Sequence, residues 1–215
     1  MPIYNGIEFI NDSVSSIICQ NFKKWELIIG VNGHEKNSYV YSIAKEYEQK
    51  DPRIHVIDYY AINGKSNTLN EMVKNAKYGW ISLLDVDDKW LPNKLENQQP
   101  YMNDYDIIAT NCQYFGDLKI CPNLPLGNLN KFNFFQFNPI INSSCLLKKE
   151  LCIWNADEEG VEDYDLWLSL WKKNKKFYTL TEILVLHRIH KQSAFNANGN
   201  DLKVKKLKLK HKVNT

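Results

Sequence analysis

Three aspartates fall within four residues, Asp85, Asp87 and Asp88 around Val86, directly after the apolar run WISLL at 80–84. Carboxylates crowded in this way repel one another unless a cation neutralises them. Hard divalent cations such as Mn²⁺ or Mg²⁺ take one or two carboxylates and complete their shell with phosphate oxygens. Side chains alternate along an extended segment, so Asp85 and Asp87 share a face. The plainer alternative is a solvated acidic turn in which Asp88 caps the next helix. A second acidic pair, Glu162-Asp163, opens a stretch carrying Leu166, Trp167, Leu170 and Trp171 on one side. A helix dipole favours acids in a first turn. The same carboxylates also suit a general base, provided one reaches the proton it removes. Residue types alone leave both readings open. The third group is His187-Arg188-Ile189-His190, which holds one of the chain's only two arginines. It suits phosphate or metal contact, and equally a surface charge pair.

The elements that must position these groups alternate. Met1–Tyr4 reads as a short strand ending in a turn at Asn5-Gly6, and Phe9, Ile10, Val14, Ile17 and Ile18 recur at helical spacing. Further strands are expected at 25–31, 53–60, 80–84, 106–114, 143–147 and 177–189. Helices are expected at 36–49, from a Ser66 cap to about residue 77, after Pro92, and at 162–171. The Pro- and Gly-bearing stretch 116–130 reads as loop. Strand–helix alternation over the first half predicts an α/β fold with a doubly wound, mainly parallel sheet. Ligands of such sheets bind beyond the carboxyl ends of the strands. Asn5, Asn32-Gly33 and the aspartate segment sit at three such ends and are expected to converge.

The 215-residue chain is 44% hydrophobic and 24% charged, which suits one globular domain and excludes a disordered tail or a membrane channel. Six lysines fall in 203–212, so the remainder is acidic, a poor match to nucleic acid. Residues 201–215 read as a basic tail or linker, with membrane-surface contact a candidate role and a further domain after 215 a candidate continuation. Five cysteines without C-x-x-C spacing favour reduced thiols and a cytoplasmic protein.

Taken together, the segments 1–33, 64–90, 142–151, 162–171 and 186–193 resemble the family 2 glycosyltransferases of the GT-A fold. The combination P-x-Y-N, Q-x(4)-W-E-L-I-I, D-x-D-D and E-D-Y-D-L-W carries the resemblance. It implies a single Rossmann-like domain at 1–200, with a nucleotide-sugar half at 1–111 and an acceptor half with a smaller sheet at 112–200. It implies metal-dependent, inverting sugar transfer from a nucleotide diphosphate donor, UDP-glucose or another UDP-sugar, to a glycan hydroxyl. Under it, Pro2, Tyr4, Asn5, Asn32, Lys65, Asn70, Asp85, Val86 and Arg188 hold the donor. Asp87, Asp85 and His190 hold Mn²⁺ or Mg²⁺. Asp163, flanked by Glu162, is the base.

The chain departs from the family in three places. Val31-Asn32 replaces the usual pair of acids, the first strand is short, and His187 stands where an aromatic is common. A nucleotidylyltransferase would need a Gly-rich basic loop after the first strand, where this chain has Asn5-Gly6-Ile7-Glu8. A non-catalytic nucleotide-sugar-binding module is the remaining alternative. The aromatic residues Tyr114, Phe115, Phe132, Phe134, Phe135 and Phe137 are candidates for an acceptor groove or for core.

Overall fold

A computed structural model describes residues 1–191 and 200–213. Gln192 and Ser193 of the last resembling segment, and Asn214 and Thr215 of the expected tail, lie outside the described residues. The first half runs β1 (Pro2–Ile3), α1 (Ile10–Ile18), β2 (Leu27–Asn32), α2 (Tyr39–Lys45), β3 (Ile54–Tyr59) and α3 (Lys65–Asn75). Its three strands form a parallel sheet in the order β1-β2-β3. Five of six β2 residues are buried, as expected of a strand covered on both faces. In α1, Ile10, Val14 and Ile17 recur at helical spacing and are the buried apolar face.

The second half supplies β4 (Trp80–Ser82), β5 (Lys89–Trp90), α4 (Lys94–Gln98), β6 (Ile107–Gly116), β7 (Gly127–Asn128), β8 (Leu146–Lys148), α5 (Glu162–Lys172), β9 (Phe177–Ile189) and α6 (Asn200–Val213). These strands pair in the order β4-β8-β6-β9-β5, with β7 on β9. The α/β class holds, but this second sheet is the larger of the two rather than the smaller. It is mixed: β8, β5 and β7 run antiparallel to their neighbours, and only β6 and β9 are parallel. β1 pairs through Pro2 and Ile3 alone, so β1 and β4 remain edges of separate sheets. An apolar cavity of about 360 Å³ is lined jointly by Met1, Leu27, Ile28, Trp80 and Ile81.

The core around α5 contains Tyr164, Leu166, Trp167, Leu168 and Leu170, all buried. Phe134 is fully buried there and stacks on Trp171, and Tyr114 is buried in the other core. These two aromatics are therefore packing groups. Of residues 201–215, read from sequence as tail or linker, 201–213 belong to the helix α6. Leu207 and His211 lie one turn apart on one face and are both buried. His211 Nε2 meets Asp165 Oδ1 at 2.7 Å, and Lys172 Nζ donates to the His211 carbonyl at 2.7 Å. Among the described residues no helix is long and apolar enough to cross a membrane.

Truncating a residue of an undocked linker costs nothing, whereas emptying a packed site does. Leu207→Ala is expected to cost about 2–5 kcal/mol, seen as a melting point lower by roughly 5–15 °C. An unchanged melting curve would show that α6 does not dock.

Candidate active site

The three strand ends meet as the sequence suggests. Gly6 follows β1 with φ +86°, and a Cβ there would come within 3.0 Å of Val86 Cγ1, so the aspartate segment lies against the first turn. Gly33 follows β2 with φ +72°, and its missing Cβ leaves room for the Tyr4 ring, 2.5 Å from that position. His34 Nε2 lies 2.6 Å from the Tyr4 carbonyl oxygen. Tyr4, Asn5 and His34 thus line one cleft, in which Tyr4 is exposed, while Asn32 at the end of β2 is buried.

Each aspartate of the segment has a different environment. Asp85 receives Lys65 Nζ at 2.9 Å and the Asn142 amide at 3.1 and 3.3 Å, while its backbone N–H donates to Ser143 Oγ at 3.0 Å. Burial pushes its pKa up, but the Lys65 ammonium and these hydrogen bonds hold it below the ordinary value. Asp88 is fully buried and accepts the Arg188 N–H at 2.8 Å and His187 Nδ1 at 2.9 Å. Burial works to lower the His187 pKa, and the Asp88 charge outweighs it. His187, unexplained by the family pattern, therefore ties β9 to the aspartate segment. Asp87 sits 3.1 Å from His190 Nε2. Its carboxyl is raised above the ordinary value by burial, then by Asp88 and Asp85.

Arg188 is engaged with protein. Its Nε donates to the Asp87 carbonyl at 2.9 Å and an Nη donates to Asp12 Oδ2 at 2.8 Å. The guanidinium lies between the Phe9 and Phe115 rings, 4.4 and 4.3 Å from their centroids. Asn70 is likewise engaged, donating to the Trp154 carbonyl and accepting the Trp154 N–H at 2.8 and 2.9 Å. Pro2 belongs to the pairing of β1 with β2.

The second acidic pair begins α5. Glu162 accepts the Gly160 N–H at 2.7 Å and lies 3.5 Å from Lys65 Nζ. Lys65 is drained by burial but held protonated by Asp85 and Glu162, which raise its pKa. Asp163 accepts the Asn138 amide at 3.0 Å and the Tyr164 N–H at 2.7 Å. Burial and the adjacent Glu162 lift its pKa to about 6, against the pull of Lys65. The start of α3 is capped by Glu159, which receives the Lys65 and Ser66 N–H groups at 2.6 and 3.4 Å. Ser66, expected as the cap, lies inside the helix with its hydroxyl unpartnered. Asp12, Asn138, Asn142, Ser143 and Glu159 were not singled out by sequence. Only proximity in the fold reveals them.

Among the described residues no three His, Cys, Asp or Glu side chains gather to hold a metal by themselves. Asp87 and His190 offer one carboxylate and one imidazole, while Asp85 is occupied by Lys65. This pair fits a hard cation that takes its other ligands from a substrate's phosphates. The repulsion that raises Asp87 is what such a cation relieves.

Without metal, Asp87→Asn is therefore expected to leave the melting point equal or higher in EDTA at neutral pH. The sign follows from linkage: a carboxyl whose folded pKa is raised costs stability above that pKa. Asp88→Ala strands the Arg188 N–H and is expected to cost about 1–3 kcal/mol under the same conditions. Equal losses in the two variants would contradict this division of roles.

The glycosyl transferase family 2 model matches residues 1–139. The O-antigen biosynthesis glycosyltransferase WbnJ of Escherichia coli is 31% identical over 206 residues, covering 90% of this chain and 79% of WbnJ. The Escherichia coli UDP-Glc:alpha-D-GlcNAc-diphosphoundecaprenol beta-1,3-glucosyltransferase WfgD is 28% identical, covering 81% of this chain and 69% of its own length. The mannosyltransferase PcManGT of Pyrobaculum calidifontis, solved with GDP-Man and Mn²⁺, superposes with a TM-score of 0.75 at 12% identity. That alignment covers all of this chain and 63% of PcManGT, and it shows the shared fold. With this fold and these relatives, the chain belongs to glycosyl transferase family 2 and is a transferase enzyme of the GT-A fold.

Proposed function

We propose that the protein moves a sugar from a UDP-sugar donor to a hydroxyl of a glycan acceptor in one inverting displacement. The observation that carries the reading is the Asp163 carboxylate, raised towards neutrality and held at both oxygens, in the same cluster as Lys65 and Asp85. A base for an acceptor hydroxyl needs to be ionised at working pH yet basic enough to take a proton.

In this reading Tyr4 and Asn5 border the nucleotide, and Asp85 and Lys65 stand beside it. Asp87 and His190 would hold Mn²⁺ or Mg²⁺. That cation would offset charge on the diphosphate as the glycosidic bond breaks. Asp163 accepts the proton of the acceptor oxygen as it attacks the anomeric carbon from the side opposite the leaving nucleotide. The bond to the diphosphate breaks as the new glycosidic bond forms, so the anomeric configuration inverts. Glu162 keeps Lys65 in place and raises its neighbour. Arg188 and Asn70 act by positioning, the first through the Asp87 carbonyl and the second through Trp154. The UDP preference is supported by the donor in WfgD's name. Asn32 would offer the donor's nucleobase an amide and no charge.

Two measurements test this. Melting curves with UDP-, GDP- and dTDP-sugars, with Mn²⁺ or EDTA, are expected to show a metal-dependent rise with the UDP series. Saturating ligand at a hundredfold its dissociation constant adds about 2.7 kcal/mol, roughly 5–10 °C at this size. Asp163→Asn is then expected to lower kcat by about 10²–10⁴-fold with that rise intact. In the unaltered protein kcat should fall as pH drops below about 6, where Asp163 takes up its proton. Full turnover in the variant would remove Asp163 as base, and donor binding without turnover in the unaltered protein would leave a binding module.

A further inference from the structure

Helix α6 is apolar on two opposite sides. Val204, Leu207 and His211 face the α5 core. Leu202, Leu209 and Val213 follow one another by seven and four residues, so they form a single stripe on the other side. They are 58%, 62% and 83% exposed, three of the twelve large apolar side chains the described surface leaves open. A helix apolar on both sides is ordinarily covered on both.

The borders of the stripe are lysines. Lys205 and Lys212 lie along one edge and Lys206 along the other, by the same helical spacing. Lys203, Lys208 and Lys210 are committed to the Glu159 carbonyl, the Gln136 carbonyl and Glu158. Lys205 and Lys206 make no hydrogen bond or ion pair among the described residues.

We infer that this face of α6 docks on an anionic lipid surface, with Leu202, Leu209 and Val213 entering the boundary between headgroups and acyl chains. The stripe is one side chain wide and runs from Leu202 to Val213, about 17 Å of helix. That is too little area for a stable protein interface, which buries about 1,200 Å² or more. A protein partner would also have to desolvate the flanking ammonium groups. A lipid surface instead lets the lysine stems lie along the apolar boundary with their charges among the phosphates. Each basic residue near an acidic leaflet adds attraction, so a short stripe with lysine borders supports reversible binding.

The inference stands apart from the transferase reading, and its test needs no activity. The full chain is sedimented with vesicles of phosphatidylcholine alone and of phosphatidylcholine mixed with phosphatidylglycerol. Binding is expected with the mixed vesicles only, and it should weaken as salt is raised. Leu209→Glu, and separately Lys205→Glu with Lys206→Glu, should each reduce the bound fraction about tenfold or more. Both change exposed residues, so the melting point should stay where it is. Three results would overturn the inference: no binding to the acidic vesicles, binding that Leu209→Glu leaves unchanged, or a dimer in sedimentation velocity that Leu209→Glu dissolves, which would give the stripe to a second copy.

Discussion

One ammonium group makes the rest of the site permissible. Asp85, Glu162 and Asp163 come together from two distant segments, and at short range in a partly buried place their mutual repulsion is costly. Lys65 Nζ reaches Asp85 and Glu162 directly, and its charge also pulls down Asp163. Its own position is fixed from behind, because Glu159 receives its backbone N–H at the first turn of α3. That one residue therefore joins α3, the loop before α5, the start of α5 and the aspartate segment after β4. Arg could not simply replace it, since a planar fork demands a different arrangement of carboxylates from a compact ammonium.

The aspartate segment shows how three like charges divide their work. Asp85 is neutralised by Lys65 and accepts the Asn142 amide, and Asp88 is fully buried under the Arg188 N–H and His187. Asp87 faces the His190 imidazole but has no ammonium or guanidinium partner among the described residues, and burial with the charges of Asp88 and Asp85 raises its carboxyl. The Arg188 guanidinium, packed between Phe9 and Phe115, pins the Asp87 carbonyl and so fixes where that carboxyl points. Supporting contacts of this kind orient metal ligands and tune them.

Much of this was legible in the chain. The apolar strand at 25–31, the helical repeat at 9–18 and WISLL followed by aspartates indicated strand ends that converge, and they do, although WISLL belongs to the second sheet. The parallel pairing of β1, β2 and β3 followed from the alternation of strands with helices. The size and direction of the second sheet did not, because β5, β7 and β8 are two or three residues long and are held by partners far away in sequence. Spans that short carry no period to read. The role of 200–213 was hidden for another reason. Lysine-rich composition signals solvent, yet Leu207 and His211 one turn apart suffice to dock the helix. Asn70 and Arg188 matched motif positions, but which atoms they touch is a property of the fold alone.

The same limit applies most strongly to Asn138, a residue in a loop with no motif of its own. The Ile140 N–H donates to Asn138 Oδ1 at 3.3 Å, which leaves the amide NH₂ facing Asp163 Oδ2 at 3.0 Å. The orientation of the amide is thus set by backbone, and Asp163 receives a donor rather than an acceptor. With the Tyr164 N–H on its other oxygen, the carboxylate has a partner at each end even as burial and Glu162 favour its protonated form. The two influences oppose each other, and the balance near pH 6 is their result. In the proposed reaction such a balance serves better than either extreme. A carboxylate held only by donors is too weak a base, and one that is only buried stays protonated.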